Sequence, residues 1–135
     1  MVKFLSDEWI EKAINIVNEQ LDPKKDLENA TASLLNIVTN IPPNGEKRYF
    51  YINVENGKIK KMQIDKKNPY NEEDVEFIVT GNYETFVQIF KGEMNTLVAI
   101  IKNRLRIKGD KIKAMKFIKP IDRLNECLRK INTEY

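Results

Sequence analysis

Near the amino terminus, apolar side chains recur at intervals of three and four. Trp9, Ile10, Ala13, Ile14, Val17 and Leu21 would share one face of a helix, and Ile16 widens the stripe. Ser6 can cap the free amides at its start, Asp7 and Glu8 favour the positive helix end, and Asp22-Pro23 stops it. Lys24 to Asn29 is a charged connection with room for one further helical turn. After it the period drops toward two. Ser33 to Thr39 reads as a strand, and Ile41-Pro42-Pro43-Asn44-Gly45 as a stiff turn. Lys47 to Val54 puts Phe50, Ile52 and Val54 on one strand face and Tyr49, Tyr51 and Asn53 on the other. Asn56-Gly57 offers the two positive-φ positions of a tight hairpin, and the return strand, Lys58 to Asp65, sets Met62 and Ile64 opposite Lys61 and Gln63.

A polar loop leads from Asp65 to Asp74 into a strand over Val75 to Thr80, closed by Gly81. Asn82 caps a short helix carrying Phe86, Val87, Ile89 and Phe90 and ending at Gly92. From about Glu93 comes Met94 and then the unbroken run Leu97 to Ile101. A helix with so little wet surface predicts a central element buried against the sheet. Leu105 to Gly109 alternates as a short strand. Asp110 to Ile118 starts helically, Pro120 restarts or kinks the chain, and Ile121, Leu124, Leu128 and Ile131 mark a terminal amphipathic helix. The order of elements predicts an α+β fold with an antiparallel or mixed sheet covered by helices on its dry face.

Composition narrows the chemistry. With 135 residues, 41% of them hydrophobic and 32% charged, the chain has the size and balance of one soluble domain. There is no histidine, which removes imidazole bases and histidine-bearing zinc sites. Cys127 is the single cysteine and has no disulfide partner within the chain. It reads as a small buried hydrophobe, because a nucleophile would need a lysine or carboxylate to activate it. The scattered glycines form no phosphate loop, and the acids lie in surface runs, so no metal is expected. The start has no signal-peptide pattern, and the expected location is the cytoplasm.

The net charge of +3 is mild but unevenly placed. Lys102, Arg104, Arg106, Lys108, Lys111, Lys113, Lys116 and Lys119 face only Asp110 as a nearby acid. This cluster fits an anionic lipid surface, a phosphate-bearing ligand, nucleic acid or a plain solvated face. Tyr49, Phe50 and Tyr51 beside the lysine-rich hairpin could stack bases, but alternation separates Phe50 from the two tyrosines, which argues against nucleic acid. Phe86, Phe90, Met94, Leu97, Ile101, Met115 and Phe117 supply large aromatics and pliable methionines. Such a set either fills a core or lines an apolar cavity.

From Asp74 onward the order of motifs is more specific. A strand is followed by a helix ending in Lys91-Gly92, then a second helix, then Leu105-Arg106-Ile107-Lys108-Gly109-Asp110, then a helix bearing Ala114-Met115. This succession resembles the SCP-2 family, the sterol carrier protein 2 or sterol-transfer domain. Asn103 stands where that family often has a glycine, and asparagine tolerates positive φ better than other residues with a side chain.

The resemblance implies one SCP-2-like domain over residues 1–135, with about five strands, covering helices and an internal hydrophobic tunnel. It implies non-enzymatic binding, and transfer, of a fatty acid, fatty acyl-CoA, isoprenoid or sterol-like ligand, with no cofactor. Phe86, Phe90, Met94, Leu97, Ile101, Leu105, Ile107, Met115, Phe117, Leu124 and Leu128 are then expected to line the tunnel, the helix around Leu124 and Leu128 serving as a lid. Lys102, Arg104, Arg106, Lys108, Lys111 and Lys113 form a basic rim for a head group or for transient contact with an anionic membrane. The alternatives are a protein-interaction or homodimerisation module on the same fold without a ligand, and an enzyme built on Cys127.

Overall fold

A computed structural model describes all 135 residues. Chain order is β1 (Val2–Lys3), α1 (Asp7–Gln20), β2 (Ala32–Ile41), β3 (Glu46–Glu55), β4 (Lys58–Asp65), β5 (Phe77–Asn82), α2 (Tyr83–Lys91), α3 (Thr96–Ile101), β6 (Leu105–Lys108), α4 (Lys111–Leu128) and β7 (Thr133–Glu134). A single 3-10 turn, Glu72–Asp74, precedes β5. The five long strands form one sheet in the order β4-β3-β2-β5-β6. Every neighbouring pair is antiparallel except β2 and β5, which makes this α+β sheet mixed.

The alternation read from the sequence sets which side of the sheet is dry. Leu34, Phe50, Ile52, Met62, Phe77, Val79 and Leu105 are buried on the side that α1, α2 and α4 cover. Trp9, Ala13 and Val17 of α1 are buried as the helical spacing requires, and Ser6 caps that helix by accepting from the Trp9 amide. The opposite side keeps a smaller cluster of Leu35, Tyr51 and Val75, closed by Tyr70, whose ring stacks on Tyr51 at 4.3 Å. That stack occupies the tyrosine face that base stacking would have needed.

Several boundaries move, each for a physical reason. β5 begins at Phe77 and runs through Gly81 to Asn82, so Gly81 sits inside the strand. A Cβ on Gly81 would lie 2.6 Å from Leu105 Cδ2, and the bare backbone lets β6 approach. β2 extends to Ile41, with a register irregularity between Val38 and Ile41 and Asn40 at φ +55°. The last helix is continuous through Pro120 and ends at Leu128, so Ile131 lies beyond it, buried next to β7.

The central-helix expectation is corrected. Asn95 caps α3, so the helix starts at Thr96 and has only six residues. Placed at the β6 edge, so short a helix can bury one side only. Ala99 is fully enclosed, while Leu97 is 37% and Ile101 70% exposed. The two-stranded parallel pair of β1 with β7, which joins the two ends of the chain, carries too short a pattern for sequence periodicity to reveal.

Candidate functional site: an apolar slit under the last helix

α4 crosses the dry side of the sheet and leaves a slit beneath it. The floor comes from Leu34, Phe50, Ile52, Phe77, Val79, Leu105 and Ile107. Phe86, Ile89 and Phe90 of α2 close one wall, and Ala114, Phe117, Ile118, Ile121, Leu124 and Leu128 of α4 make the roof. Of 19 lining residues 16 are hydrophobic; the polar ones are Asn36, Thr96 and Asn125. Asn36 donates to the Phe50 carbonyl at 3.2 Å, and Asn125 faces Thr96 with Nδ2 to Oγ1 at 3.5 Å. The enclosed volume is about 60 Å³. Pockets for small molecules usually occupy about 300 to 1,000 Å³, so the slit is closed to anything the size of a lipid chain.

The roof is held unevenly. Leu124, Cys127 and Leu128 belong to the main core of 23 buried residues, together with Trp9, Val17 and Phe90. The first half of α4 contributes Phe117 to a separate cluster of four, where it packs on Ala32, Leu34 and Phe77; Ala114, and Ile121 just beyond Pro120, lie at its edge. Pro120 lies between the halves and supplies no amide for the Lys116 carbonyl, removing one rung of the helix at the boundary. The slit is lined from both clusters and sits where they meet. Leu124 and Leu128, 2% and 1% exposed, fix the half after Pro120 in the main core, whereas Phe117 is the one buried side chain of the half before it.

Seven of the expected lining residues meet at the slit: Phe86, Phe90, Leu105, Ile107, Phe117, Leu124 and Leu128. Met94, Leu97, Ile101 and Met115 do not. Met94 lies in the turn before α3, and Leu97, Ile101 and Met115 point substantially into solvent. The residues that the sequence reading missed are Leu34, Phe50, Ile52, Phe77, Val79 and Ile89, and on α4 Ala114, Ile118 and Ile121. Their signal was present, since the strand residues all fall on the dry parity, but which dry positions lie under a gap depends on how the helices seat.

None of the six rim cations lines the slit. Lys108 pairs with Glu72 and Lys113 with Glu76, while Arg104 donates to Gln88. Arg106 and Lys108 lie on the strand face opposite Leu105 and Ile107. At the Thr96–Asn125 end, the slit adjoins a polar groove of about 480 Å³ that includes Glu93, Asp122 and Glu126. The guanidinium of Arg129, at the edge of this groove, donates to the carbonyls of Ile89 and Phe90 and so closes the end of α2. Cys127 is buried and its Sγ lies 3.7 Å from the Ile16 carbonyl. Burial pushes the thiol pKa up, outweighing the nearby Lys130, so the depressed pKa that a cysteine nucleophile needs is missing.

A mixed sheet with helices on one side and an apolar slit under its last helix defines the sterol-carrier-like class of α+β domain. A family model described as the SCP-2 sterol transfer family matches residues 14–122, and the chain belongs to that family. Among solved structures it is similar to sterol carrier protein 2, with 16% identity and a TM-score of 0.79 over 95% of this chain and 98% of that one. A conserved hypothetical protein from Thermus thermophilus, described as possibly a sterol carrier protein, gives 15% identity and a TM-score of 0.80 over 99% and 93%. Palmitated SCP2L2 from Aedes aegypti gives 16% identity and a TM-score of 0.57 over 91% and 94%. No curated protein sequence matches significantly.

Proposed function

We propose that this chain is a non-enzymatic carrier of a lipid with a long apolar chain, held between the sheet and the first half of α4. The observation that carries the reading is the pairing of a slit lined by 16 hydrophobic residues with a roof whose first half packs its one buried side chain, Phe117, on only three buried residues, Ala32, Leu34 and Phe77. Loading lifts that half away from Phe77 and Leu34 and lets the chain take the place of roof contacts. Family membership supports a lipid cargo, and the palmitated form of the Aedes aegypti relative makes an acyl chain the first candidate. Fatty acyl-CoA, isoprenoid and sterol-like ligands share the same burial physics. Each enclosed methylene contributes about 0.8 kcal/mol before ordering costs, so chain length governs selectivity.

The test is native mass spectrometry of gently purified protein, with solvent extraction to identify any adduct, followed by titration with a fluorescent fatty acid. A stoichiometric lipid adduct is expected. Ala114→Trp, which places an indole in the slit, should lower fatty-acid affinity at least about tenfold in a variant that keeps its circular dichroism and Tm. Clean apoprotein that also excludes fatty acids, acyl-CoA, isoprenoid alcohols and sterols would sink the carrier reading. The enclosed volume of about 60 Å³ favours the second reading in that event, an interaction or homodimerisation module with a closed core. That module would show a concentration-dependent dimer in sedimentation and no ligand uptake.

A further inference from the structure

β2 is the middle strand of the sheet, and from Ala32 to Val38 its inward positions are Ala32, Leu34, Asn36 and Val38. Three of these are buried and apolar; the fourth is an amide. A polar group at the centre of a dry sheet face costs stability that a valine or leucine there would not. Asn36 Nδ2 donates to the Phe50 carbonyl at 3.2 Å, but Oδ1 accepts no hydrogen bond from the protein, and the side chain lines the slit. The floor of an otherwise apolar slit thus carries one unused acceptor.

The other two polar lining residues are uncharged as well. Asn125 and Thr96 meet only at 3.5 Å, the long limit of a hydrogen bond. The Thr96 side chain is 8% exposed, and its hydroxyl donates to no group of the protein. No charged side chain lines the slit. Beyond Ile89 and Asn125, which border both spaces, the polar groove carries Glu93, Asp122 and Glu126. Arg129 is the one cation lining that groove, and it is engaged with the carbonyls of Ile89 and Phe90.

We propose, on the basis of the carrier reading, that the slit selects a cargo whose polar end is an uncharged hydroxyl or amide, with Asn36 as the specificity-determining residue. Its Oδ1 accepts the hydrogen bond that the O–H or N–H of the cargo donates. A carboxylate or phosphate cannot donate to Oδ1, finds no cation in the slit, and has three carboxylates beside the Thr96–Asn125 end. A hydroxyl donates to Asn36 and buries no net charge. A site built to hydrogen-bond a hydroxyl discriminates against the analogue that lacks it, because its own polar group is then left unpaired. The apolar lining reads the length of the tail, and this amide reads the head.

The experiment is fluorescence titration of lipid-stripped protein with three pyrene-labelled probes of one chain length, ending in an alcohol, a methyl ether and a carboxylate. At neutral pH the alcohol should bind at least about tenfold more tightly than the carboxylate and about fivefold more tightly than the ether. Asn36→Leu should weaken the alcohol about tenfold and leave the ether within about twofold, with Tm at or above that of wild type. An amide with a merely structural role would instead lower Tm and all three affinities together. Asn36→Thr keeps an acceptor and should retain most of the preference for the alcohol. Glu93→Gln with Asp122→Asn should narrow the gap between alcohol and carboxylate about threefold, since two charges leave the adjoining groove. The comparison of alcohol with ether in the wild type needs no variant, so it decides the matter even if Asn36→Leu does not fold. A carboxylate or ether bound as tightly as the alcohol, or an Asn36→Leu protein that weakens all three probes equally, would overturn the head-group assignment and leave the carrier reading in place. Uptake of none of the three would overturn both.

Discussion

Trp9 Nε1 donates to Thr133 Oγ1 at 3.2 Å, across 124 residues of sequence. The bond joins α1 to β7, and β7 pairs in parallel with β1, so both ends of the chain close over one indole. The indole is fully enclosed and meets Phe4, Phe50 and Phe90 edge-on at 5.1, 5.6 and 5.9 Å. Thr133→Val keeps the shape but leaves that buried N–H without its acceptor. It should lower the free energy of unfolding by about 1 to 3 kcal/mol in urea titrations, and Thr133→Ser should recover most of the loss. A Val variant as stable as wild type would mean that the bond contributes nothing.

Two glycines with almost the same backbone angle should respond very differently to alanine. Gly45 has φ +74° and nothing within 4 Å of an added Cβ, so Gly45→Ala bears only the left-handed backbone cost, about 1 kcal/mol. Gly57 has φ +77°, and a Cβ there would lie 2.2 Å from the Pro23 carbonyl oxygen. Its amide also donates to the Ala30 carbonyl. Gly57→Ala should cost at least about 2 kcal/mol beyond the Gly45 change, because the hairpin must move off the segment that follows α1. Equal losses in parallel thermal melts would show that this contact yields easily.

Tyr70 reports the packing of the second sheet face. Its hydroxyl is buried without a hydrogen-bond partner, and burial, with help from Asp65 and Tyr51, raises its pKa from 10.0 to about 12. The unfolded phenol ionises first as pH rises, so the folded state binds the extra proton and stability falls between pH 10 and about 12. Below that window the contribution is complete. Tyr70→Phe gives up no hydrogen bond and should stay within about 0.5 kcal/mol of wild type at neutral pH, while removing this alkaline phase from Tm against pH. An unchanged alkaline phase in the Phe variant would assign it to another group.

Much of this fold could be read from local pattern. The Asn56-Gly57 hairpin forms as expected, with both residues at positive φ, because a two-residue turn of that chemistry needs no distant help. Asn103 takes φ +59°, the role given to it in place of a glycine. Leu105 and Ile107 face inward and Arg106 and Lys108 outward, as strict alternation requires. The run from Leu97 to Ile101 misled because hydrophobicity reports the desire for burial and not the length of helix available. Six residues at a sheet edge left Ile101 largely in water.

Residue types at short spacing were enough to dictate the strands of the five-stranded sheet, their dry parity, the caps at Ser6 and Asn82, and the family. Which dry residues roof a gap was settled only when the packed chain was seen. The same holds for the division of a continuous α4 at Pro120 into a half with Leu124, Cys127 and Leu128 in the main core and a half with Phe117 in a smaller cluster, and for the rim cations standing away from the slit. Those features follow from how helices of given length seat on a twisted sheet, a sum over many distant contacts that periodicity along one chain does not encode.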